Sequence, residues 1–272
     1  MGNPKNLVIS SAFGVSEQGI DFFLKSLRKY YSGEVYFFVG PNDNKIKNLL
    51  NTYKCNFSEI QIHKHDVQLK RYKYYLEYLN RNIFDNILCC DSRDIYFQDD
   101  PFNFLYKGSI NFFLEGKKIK DCIYNKNWLI KTHGNKIFEN IKEKTILCSG
   151  TVVGKYKTMI EYLQLINQLI HAKKYKKSLK YLLTFRRDKS GRGCDQAHAN
   201  FIGHNNLIKN GHFYSNDEGP IATAYYLKKI VFNKKSQLIN KSGKHYLLVH
   251  QYDKRLSDFS NYIENFKKLN NV

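Results

Sequence analysis

Short apolar runs alternate with longer amphipathic segments in the first third of the chain. Such runs are typical of strands buried on both faces, and apolar positions with a period near 3.6 are typical of helices that pack on one side. The pattern predicts four strands, at Leu7–Ala12, Glu34–Val39, Glu59–Ile62 and Ile87–Cys90. It predicts three intervening helices, at Ser16–Tyr31, about Lys45–Tyr53 and Val67–Asn80. This alternation favours a parallel, doubly wound sheet.

The pattern is more mixed in the rest of the chain. Strands are predicted at Ile110–Leu114, Ile146–Cys148 and Tyr246–Val249, with weaker signals at Tyr225–Leu227 and Ile230–Phe232. A long helix is predicted over about Tyr156–His171, and another begins near Asp195. Neither an internal repeat nor a linker rich in Pro, Gly or Ser interrupts the sequence. We therefore expect a single α/β domain with a Rossmann-type mixed sheet flanked by helices.

Composition narrows the class of protein. The 272 residues are 42% hydrophobic, which is enough for a sizeable core and argues against a disordered chain. The formal net charge of +20 attracts nucleotides, polyanions and anionic membrane surfaces. Six cysteines without a CxxC pair do not fit a zinc or disulfide framework and favour reduced thiols. No apolar segment has the length of a secretory signal or a membrane span, so we expect a cytoplasmic protein.

The segment 91–102, with the sequence DSRDIYFQDDPF, follows the fourth predicted strand. In open α/β sheets, ligands bind at the carboxyl ends of strands. Hard divalent cations take oxygen ligands, and those that neutralise diphosphates commonly use one or two carboxylates together with phosphate oxygens. A metal–diphosphate site is therefore one hypothesis for this segment. The alternative is a solvated acidic turn that follows a core strand.

Three later motifs accompany the acidic segment. They are CSGT at 148–151 with Gly154, DQ at 195–196 with Asn200, and HQYD at 250–253. In this order, the four motifs resemble those of the GT-A-type glycosyltransferases, which use nucleoside-diphosphate sugars and a DxD motif. The acidic segment is similar to the D-x-R-D-(V/I)-x-F-Q-x-D-P-F form of one subgroup. It departs from a standard DxD in having two residues between Asp91 and Asp94, which leaves open which aspartate ligates a metal directly.

The resemblance implies a GT-A-like fold and a metal site. Residues 1–100 would bind the nucleotide sugar, and residues 101–272 would hold the donor sugar and the acceptor. Asp94 and Asp91 would bind a divalent cation, and His250 would complete its ligand set. An imidazole among oxygen ligands suits Mn²⁺ somewhat better than Mg²⁺.

The resemblance also implies a reacting centre in the second half of the chain. Asp195 would lie beside it, as a base for the acceptor hydroxyl or as a group that holds the sugar hydroxyls. Gln196, Ser149 and Gly150 would contact the donor sugar. Asp195 is also a residue type that caps helices well, and a glycine after a strand is also common in ordinary tight turns.

Contacts with the nucleotide and its phosphates are predicted for six residues: Ser10, Ser11, Ala12, Arg71, Ser92 and Arg93. The first three end a strand beside the switch point of the sheet. Arg71 resembles a position that contacts base or phosphate in this fold, and the alternative is a solvated helical charge. Arg93 meets the diphosphate or orients a carboxylate, and the alternative is a structural ion pair.

The segment 173–192 is densely basic, with interleaved aromatic residues. It is either a solvated helix face or a contact for an anionic membrane, an anionic acceptor or nucleic acid. A nucleic-acid-binding protein is an alternative for the whole chain, but it gives no role to the acidic motifs. A nucleotidyltransferase would need a cationic phosphate loop where residues 10–14 have no Lys or Arg. We expect instead a nucleoside-diphosphate sugar, with a UDP-sugar favoured, and a glycan acceptor as partners.

Overall fold

The first part of the fold alternates strands and helices as the sequence pattern predicts. The computed structural model describes residues 4–63, 66–172 and 193–268. Up to residue 90 the elements are β1 Asn6–Ala12, α1 Glu17–Arg28, β2 Glu34–Val39, α2 Asn44–Thr52, β3 Asn56–Glu59, α3 Val67–Leu79 and β4 Asn86–Cys90. The predicted start of α1 is confirmed, because the Ser16 hydroxyl caps the helix by accepting a hydrogen bond from the backbone N–H of Gly19.

The second part contains longer strands and several short ones. Its strands are β5 Ile95–Phe97, β6 Ile110–Lys118, β7 Thr145–Lys155, β8 Gly211–Tyr214, β9 Ile221–Thr223 and β10 Leu248–His250. Its helices are α4 Ile123–His133, α5 Asn135–Ile141, α6 Tyr156–Ala172, α7 Cys194–His204 and α8 Leu256–Lys268.

Within the described ranges, seven strands form a central sheet in the order β3-β2-β1-β4-β7-β6-β8. The first four are parallel, β7 runs antiparallel to both β4 and β6, and β8 is parallel to β6. The predicted α/β class with a mixed sheet flanked by helices is therefore confirmed, and the parallel arrangement applies to β1–β4. A smaller sheet has the order β5-β10-β9, in which β10 is antiparallel to β5 and parallel to β9.

Both faces of the central sheet are covered by helices. Along β1, Val8 packs in the cluster that includes α1 and α2, whereas Leu7 and Ile9 pack in the cluster that includes α3 and α6. This alternation follows from the two-residue period of a strand. Because both faces are buried, the strands appear in the sequence as nearly continuous apolar runs. Each fully buried Leu, Ile or Phe contributes about 1.5–3 kcal/mol to the stability of the fold.

Three predicted strands of the sequence pattern are wrong or displaced. The third strand is Asn56–Glu59 rather than Glu59–Ile62. Tyr225–Leu227 does not form a strand, because Ala224–Tyr226 is a short 3-10 helix. Ile230–Phe232 contributes only an isolated bridge from Phe232. Aromatic and β-branched residues fit a half-buried pleated surface, and without a neighbouring strand such segments take other conformations.

The helix α6 is the longest in the described part of the chain, with 17 residues. It packs beside α3 through buried residues such as Met159 and Tyr162. Among the residues that the structure describes, no helix has both the length and the apolarity needed to cross a membrane.

Candidate functional site

The two sheets meet at the acidic segment. The backbone N–H of Asp91, directly after β4, donates to the carbonyl of Gly150 in β7 at 2.8 Å. The carbonyl of Asp94, directly before β5, accepts from the N–H of Gln251 at 2.8 Å. Since Gln251 follows His250 at the end of β10, the short loop between β4 and β5 is held at both ends.

Asp91, Asp94 and His250 come together at this loop. One ligand atom of each lies within 4.8 Å of the others, and His250 Nε2 is 3.5 Å from Asp91 Oδ2 and from Asp94 Oδ1. Burial favours a higher pKa for both carboxyl groups. At Asp91, the positive charges of Arg71 and His250 outweigh the effect of burial, and at Asp94 the charge of His250 does so. The pKa values of both carboxyl groups therefore lie below the usual range. Both carboxylates are therefore ionised at neutral pH.

The ligand atoms that Asp91, Asp94 and His250 offer are suited to a divalent cation. Arg71 pairs with Oδ1 of Asp91, and Arg93 lies 3.4 Å from Oδ2 of Asp94, so the other oxygen of each carboxylate faces His250. Two ionised carboxylates and an imidazole nitrogen are ligands that Mn²⁺ accepts, and the carboxylates also suit Mg²⁺. These three residues could thus hold a cation at the carboxyl end of β4.

Arg71 of α3 is a buried cation between two acids. Its side chain pairs with Asp91 through one terminal nitrogen and lies 3.2 Å from Asp195 Oδ2 through the other. Only 7% of Arg71 is exposed, so its interpretation as a solvated helical charge is wrong. The guanidinium suits this position because its separate nitrogens can bind two carboxylates at once. A contact between Arg71 and a nucleotide stays a prediction.

Asp195 lies in the first turn of α7 and is 5% exposed. Its Oδ2 is 3.3 Å from the hydroxyl of Ser149 and 3.5 Å from that of Tyr72, both of which are able to donate. Burial raises the pKa of Asp195 by more than Arg71 lowers it. Asp195 and Asp91 therefore share one arginine but have pKa values shifted in opposite directions.

Gln196 joins the DQ motif at 195–196 to β6 and α4. Its Nε2 donates to Glu115 Oε1 at 3.1 Å and to Asn125 Oδ1 at 3.1 Å. The hydroxyl of Ser149 lies 3.4 Å from Gln196 Oε1 and 3.3 Å from Asp195. The amide of Gln196 is therefore oriented, with its hydrogens toward Glu115 and Asn125 and its oxygen toward Ser149.

The side chains predicted to contact a nucleotide near β1 are mostly buried. Ser10 donates to a carbonyl of β4 at 2.7 Å, and Ala12 lies in the hydrophobic core. Ser92 donates to the carbonyl of Ser11 at 2.9 Å, and the hydroxyl of Tyr75 lies 3.3 Å from that of Ser11. These bonds fasten β1 to the loop after β4. The nucleotide contacts of these residues stay predictions.

Arg93 is more exposed than the other residues of the acidic loop, with 58% of its side chain accessible. It lies 3.4 Å from both Asp94 Oδ2 and Asp253 Oδ2. Arg93 thus forms an ion pair that links the acidic loop to the HQYD motif, and its contact with a diphosphate stays a prediction.

Gly150 lies directly against the Asp91–His250 pair. A Cβ at this position would be 2.4 Å from His250 Cε1 and 2.6 Å from Asp91 Oδ2, which is closer than any real Cβ contact. Only glycine lets β7 approach these side chains so closely.

Four polar residues of the site were not predicted from the sequence: Tyr72, Glu115, Asn125 and Cys148. The only signal for Glu115 is that an acid follows the predicted strand Ile110–Leu114. Cys148 begins the CSGT motif, but its own side chain had no predicted role. The basic segment 173–192, with its predicted membrane contact, lies outside the described residues.

No protein-family model matches this chain, and no curated protein does either. Among solved structures, the chain is similar to the apo form of mouse xyloside xylosyltransferase 1, with a TM-score of 0.49 and 14% sequence identity. The match covers 91% of this chain and 96% of the mouse chain.

Proposed function

We propose that this chain is a metal-dependent glycosyltransferase that moves a hexosyl or pentosyl unit from a nucleoside-diphosphate sugar to an acceptor hydroxyl. The observation that carries the proposal is the approach of Asp91, Asp94 and His250 to within 4.8 Å, with Arg71 linking Asp91 to Asp195. These acids and His250 belong to motifs that are far apart in the sequence. A solvated acidic turn would not require a buried histidine and a second acidic motif around it.

Asp91, Asp94 and His250 would hold the cation, Mn²⁺ or Mg²⁺. A bound divalent cation neutralises the diphosphate and the charge that develops on the departing nucleoside diphosphate. The lowered pKa values of Asp91 and Asp94 support this role, because both residues are available as anionic ligands at neutral pH.

Asp195 would act at the reacting centre, with Ser149, Gly150 and Gln196 in contact with the donor sugar. Its carboxylate would accept the proton of the acceptor hydroxyl or hold the hydroxyls of the sugar. The raised pKa of Asp195 supports a role in proton transfer, since a general base works best when its pKa approaches the working pH.

The nucleotide would lie at the carboxyl ends of β1 and β4. Its contacts would come from Arg93 and from the serines and alanine there: Ser10, Ser11, Ala12 and Ser92. A UDP-sugar is the favoured donor, and the acceptor would be a glycan, a glycolipid or a protein glycan. The basic segment 173–192 would add a peripheral contact with an anionic membrane.

Thermal unfolding with a panel of nucleoside diphosphates, each with and without Mn²⁺, tests the proposal. We expect at least one nucleotide to raise the midpoint temperature only when Mn²⁺ is present, because cation and diphosphate would bind together. Asp94→Asn should lose this increase, since it removes an anionic ligand.

Asp217→Asn is the matched control, because Asp217 is an exposed carboxylate paired with Lys241 outside the candidate site. This variant should keep the increase in midpoint temperature. The proposal is wrong if no nucleoside diphosphate gives a Mn²⁺-dependent increase, or if both variants lose the increase equally.

A further inference from the structure

Glu115 of β6 is a buried carboxyl group that belongs to none of the four sequence motifs. It is 3% exposed and accepts a hydrogen bond from Gln196 at 3.1 Å. Burial raises the pKa of this carboxyl group, while the nearby His250 and hydrogen bonding from the side chains of Gln196, Gln251 and Cys148 lower it; Cys148 lies on the neighbouring strand β7. A carboxyl group in the interior costs stability unless it has partners. The burial of Glu115 at this position therefore calls for an explanation.

Cys148 links Glu115 to the candidate metal site. Its Sγ lies 3.2 Å from Nδ1 of His250, while Nε2 of the same ring faces Asp91 and Asp94 at 3.5 Å each. The ring of His250 therefore has one nitrogen toward the sulfur and the other toward the carboxylates. Both Cys148 and His250 are almost completely buried, so water does not replace this contact.

The hydrogen bonds from His250 to Cys148 and from Cys148 to Glu115 can take directions that are consistent with metal binding. A cation on Nε2 needs the lone pair of that nitrogen, so the ring proton must be on Nδ1, where it can donate to Cys148 Sγ. The thiol proton can then donate to Glu115. Gln196 also donates to Glu115 Oε1, which helps to hold the carboxyl group in place.

We propose that Cys148 and Glu115 are positioning residues that hold the imidazole of His250 with Nε2 toward the metal site. This role rests on the function proposed above, since it presupposes a cation at Asp91, Asp94 and His250. Metal-bound histidines usually donate their second N–H to an oxygen acceptor, and loss of that acceptor weakens metal affinity about 10–100-fold. Here a thiol, supported by a buried carboxyl group, takes the place of the acceptor. Burial raises the pKa of Glu115 to about 7, which lowers the cost of keeping this group in the interior.

Titration of the purified protein with Mn²⁺, followed by the electron paramagnetic resonance signal of the free ion, tests the proposal without an activity assay. Cys148→Val should weaken Mn²⁺ affinity about 10–100-fold, because valine fits a strand but offers no acceptor to Nδ1. Cys148→Ser should stay near the affinity of the wild-type protein, because its hydroxyl can accept and donate. Glu115→Leu should weaken the affinity in the same direction as Cys148→Val.

Cys55→Val is the control for the loss of a buried thiol, because Cys55 packs in the core near Arg28 and not at the site. It should leave the Mn²⁺ affinity unchanged. If Cys148→Val does not fold, Cys148→Ala carries the same expectation.

A spin-echo measurement of bound Mn²⁺ separates positioning from a general loss of packing. Modulation from a directly bound histidine nitrogen should be present in the wild-type protein and in Cys148→Ser and should be reduced in Cys148→Val. Equal affinity and equal nitrogen modulation in wild-type protein and Cys148→Val would overturn the positioning role alone. Absence of Mn²⁺ binding in the wild-type protein would overturn the proposed metal site itself, and the positioning role with it.

Discussion

At the scale of single residues, Gly150 makes the most specific prediction. A methyl group there would overlap the ring of His250 and the carboxylate of Asp91, so these side chains or the backbone of β7 must move. We expect Gly150→Ala to lose about a hundredfold in the proposed transferase activity, because displacements near 1 Å cost that much in preorganised sites. The Mn²⁺-dependent increase in midpoint temperature should fall as well.

Gly211→Ala provides the matched control for Gly150→Ala. A Cβ at Gly211 would meet its nearest atoms at 3.6–3.8 Å, which is ordinary van der Waals contact. Both glycines lie in strands of the central sheet, Gly150 in the inner strand β7 and Gly211 at the start of the edge strand β8, so Gly211→Ala controls for the replacement of a strand glycine by alanine. Similar losses in the two variants would show that the effect of Gly150→Ala comes from the fold rather than from the site.

The site residues that the sequence could predict are those that occur in motifs. Asp91 and Asp94 directly follow a buried strand, and the short-range pattern is enough to place them at a sheet edge. Glu115 and Cys148 had no such signal, because their contacts depend on β6 and β7 being neighbours in an antiparallel pair. Neighbours in a sheet can be far apart in the sequence, so the local pattern of apolar and polar residues does not reveal which strands are paired.

At the scale of secondary structure, the last turn of α7 contains a buried histidine, His204, whose protonation makes the stability of the fold depend on pH. His204 Nε2 lies 2.9 Å from the carbonyl of Thr145 at the start of β7, and its ring stacks on Phe213 of β8. Burial lowers the pKa of His204 from 6.5 to about 4. The unfolded chain therefore binds a proton near pH 6.5, whereas the folded protein binds it only near pH 4.

We expect the free energy of unfolding to fall by about 1–3 kcal/mol on this account as the pH falls from 6.5 to 4, and to lose no more below pH 4. Urea unfolding at pH 7 and pH 4.5 measures this effect. His204→Gln keeps a polar side chain that does not titrate. Between pH 7 and pH 4.5, its free energy of unfolding should therefore fall by about 1–3 kcal/mol less than that of the wild-type protein. Identical losses in both proteins would contradict the shifted pKa.

The elements that the sequence predicted well are long or buried on two faces. β1, β2 and β4 appear as continuous apolar runs, and α1 and α6 have clear apolar faces. The short strands β5, β8 and β9 contain only three or four residues, too few for a period to be visible, and the predicted strand Tyr246–Val249 overlaps the short strand β10 only in part. α4 was missed because it buries polar residues such as Asn125 and Thr132, which blurs its apolar face.

At the scale of the whole molecule, the site depends on the contact between the two sheets. In the central sheet, Asp91 directly follows β4 and Gly150 lies in β7, while His250 ends β10 of the smaller sheet. The loop with Asp94 connects the two sheets. Residues from both halves of the sequence are thus needed for one cluster, although the predicted division of roles at residue 100 stays a prediction.

The net charge of +20 is a property of the whole molecule and attracts nucleic acids as well as nucleotides. The proposed function must therefore be distinguished from nucleic-acid binding by experiment. Nine of the 44 Lys and Arg residues lie in the segment 173–192. A charge of this size attracts any polyanion, so we expect weak binding to a single-stranded oligonucleotide at low salt. This affinity, measured by fluorescence anisotropy, should fall about a hundredfold or more between 50 and 200 mM salt, because it comes from counterion release.

Asp94→Asn should bind the oligonucleotide as well as the wild-type protein does, because one buried carboxylate contributes little to the overall field. The Mn²⁺-dependent stabilisation by a nucleoside diphosphate should persist at 200 mM salt in the wild-type protein and be absent in Asp94→Asn. Local ligands are screened less than exposed charges, so the two kinds of binding respond differently to salt. Tight, salt-dependent oligonucleotide binding that survived Asp94→Asn, without Mn²⁺-dependent stabilisation by any nucleotide, would favour a nucleic-acid-binding protein over a glycosyltransferase.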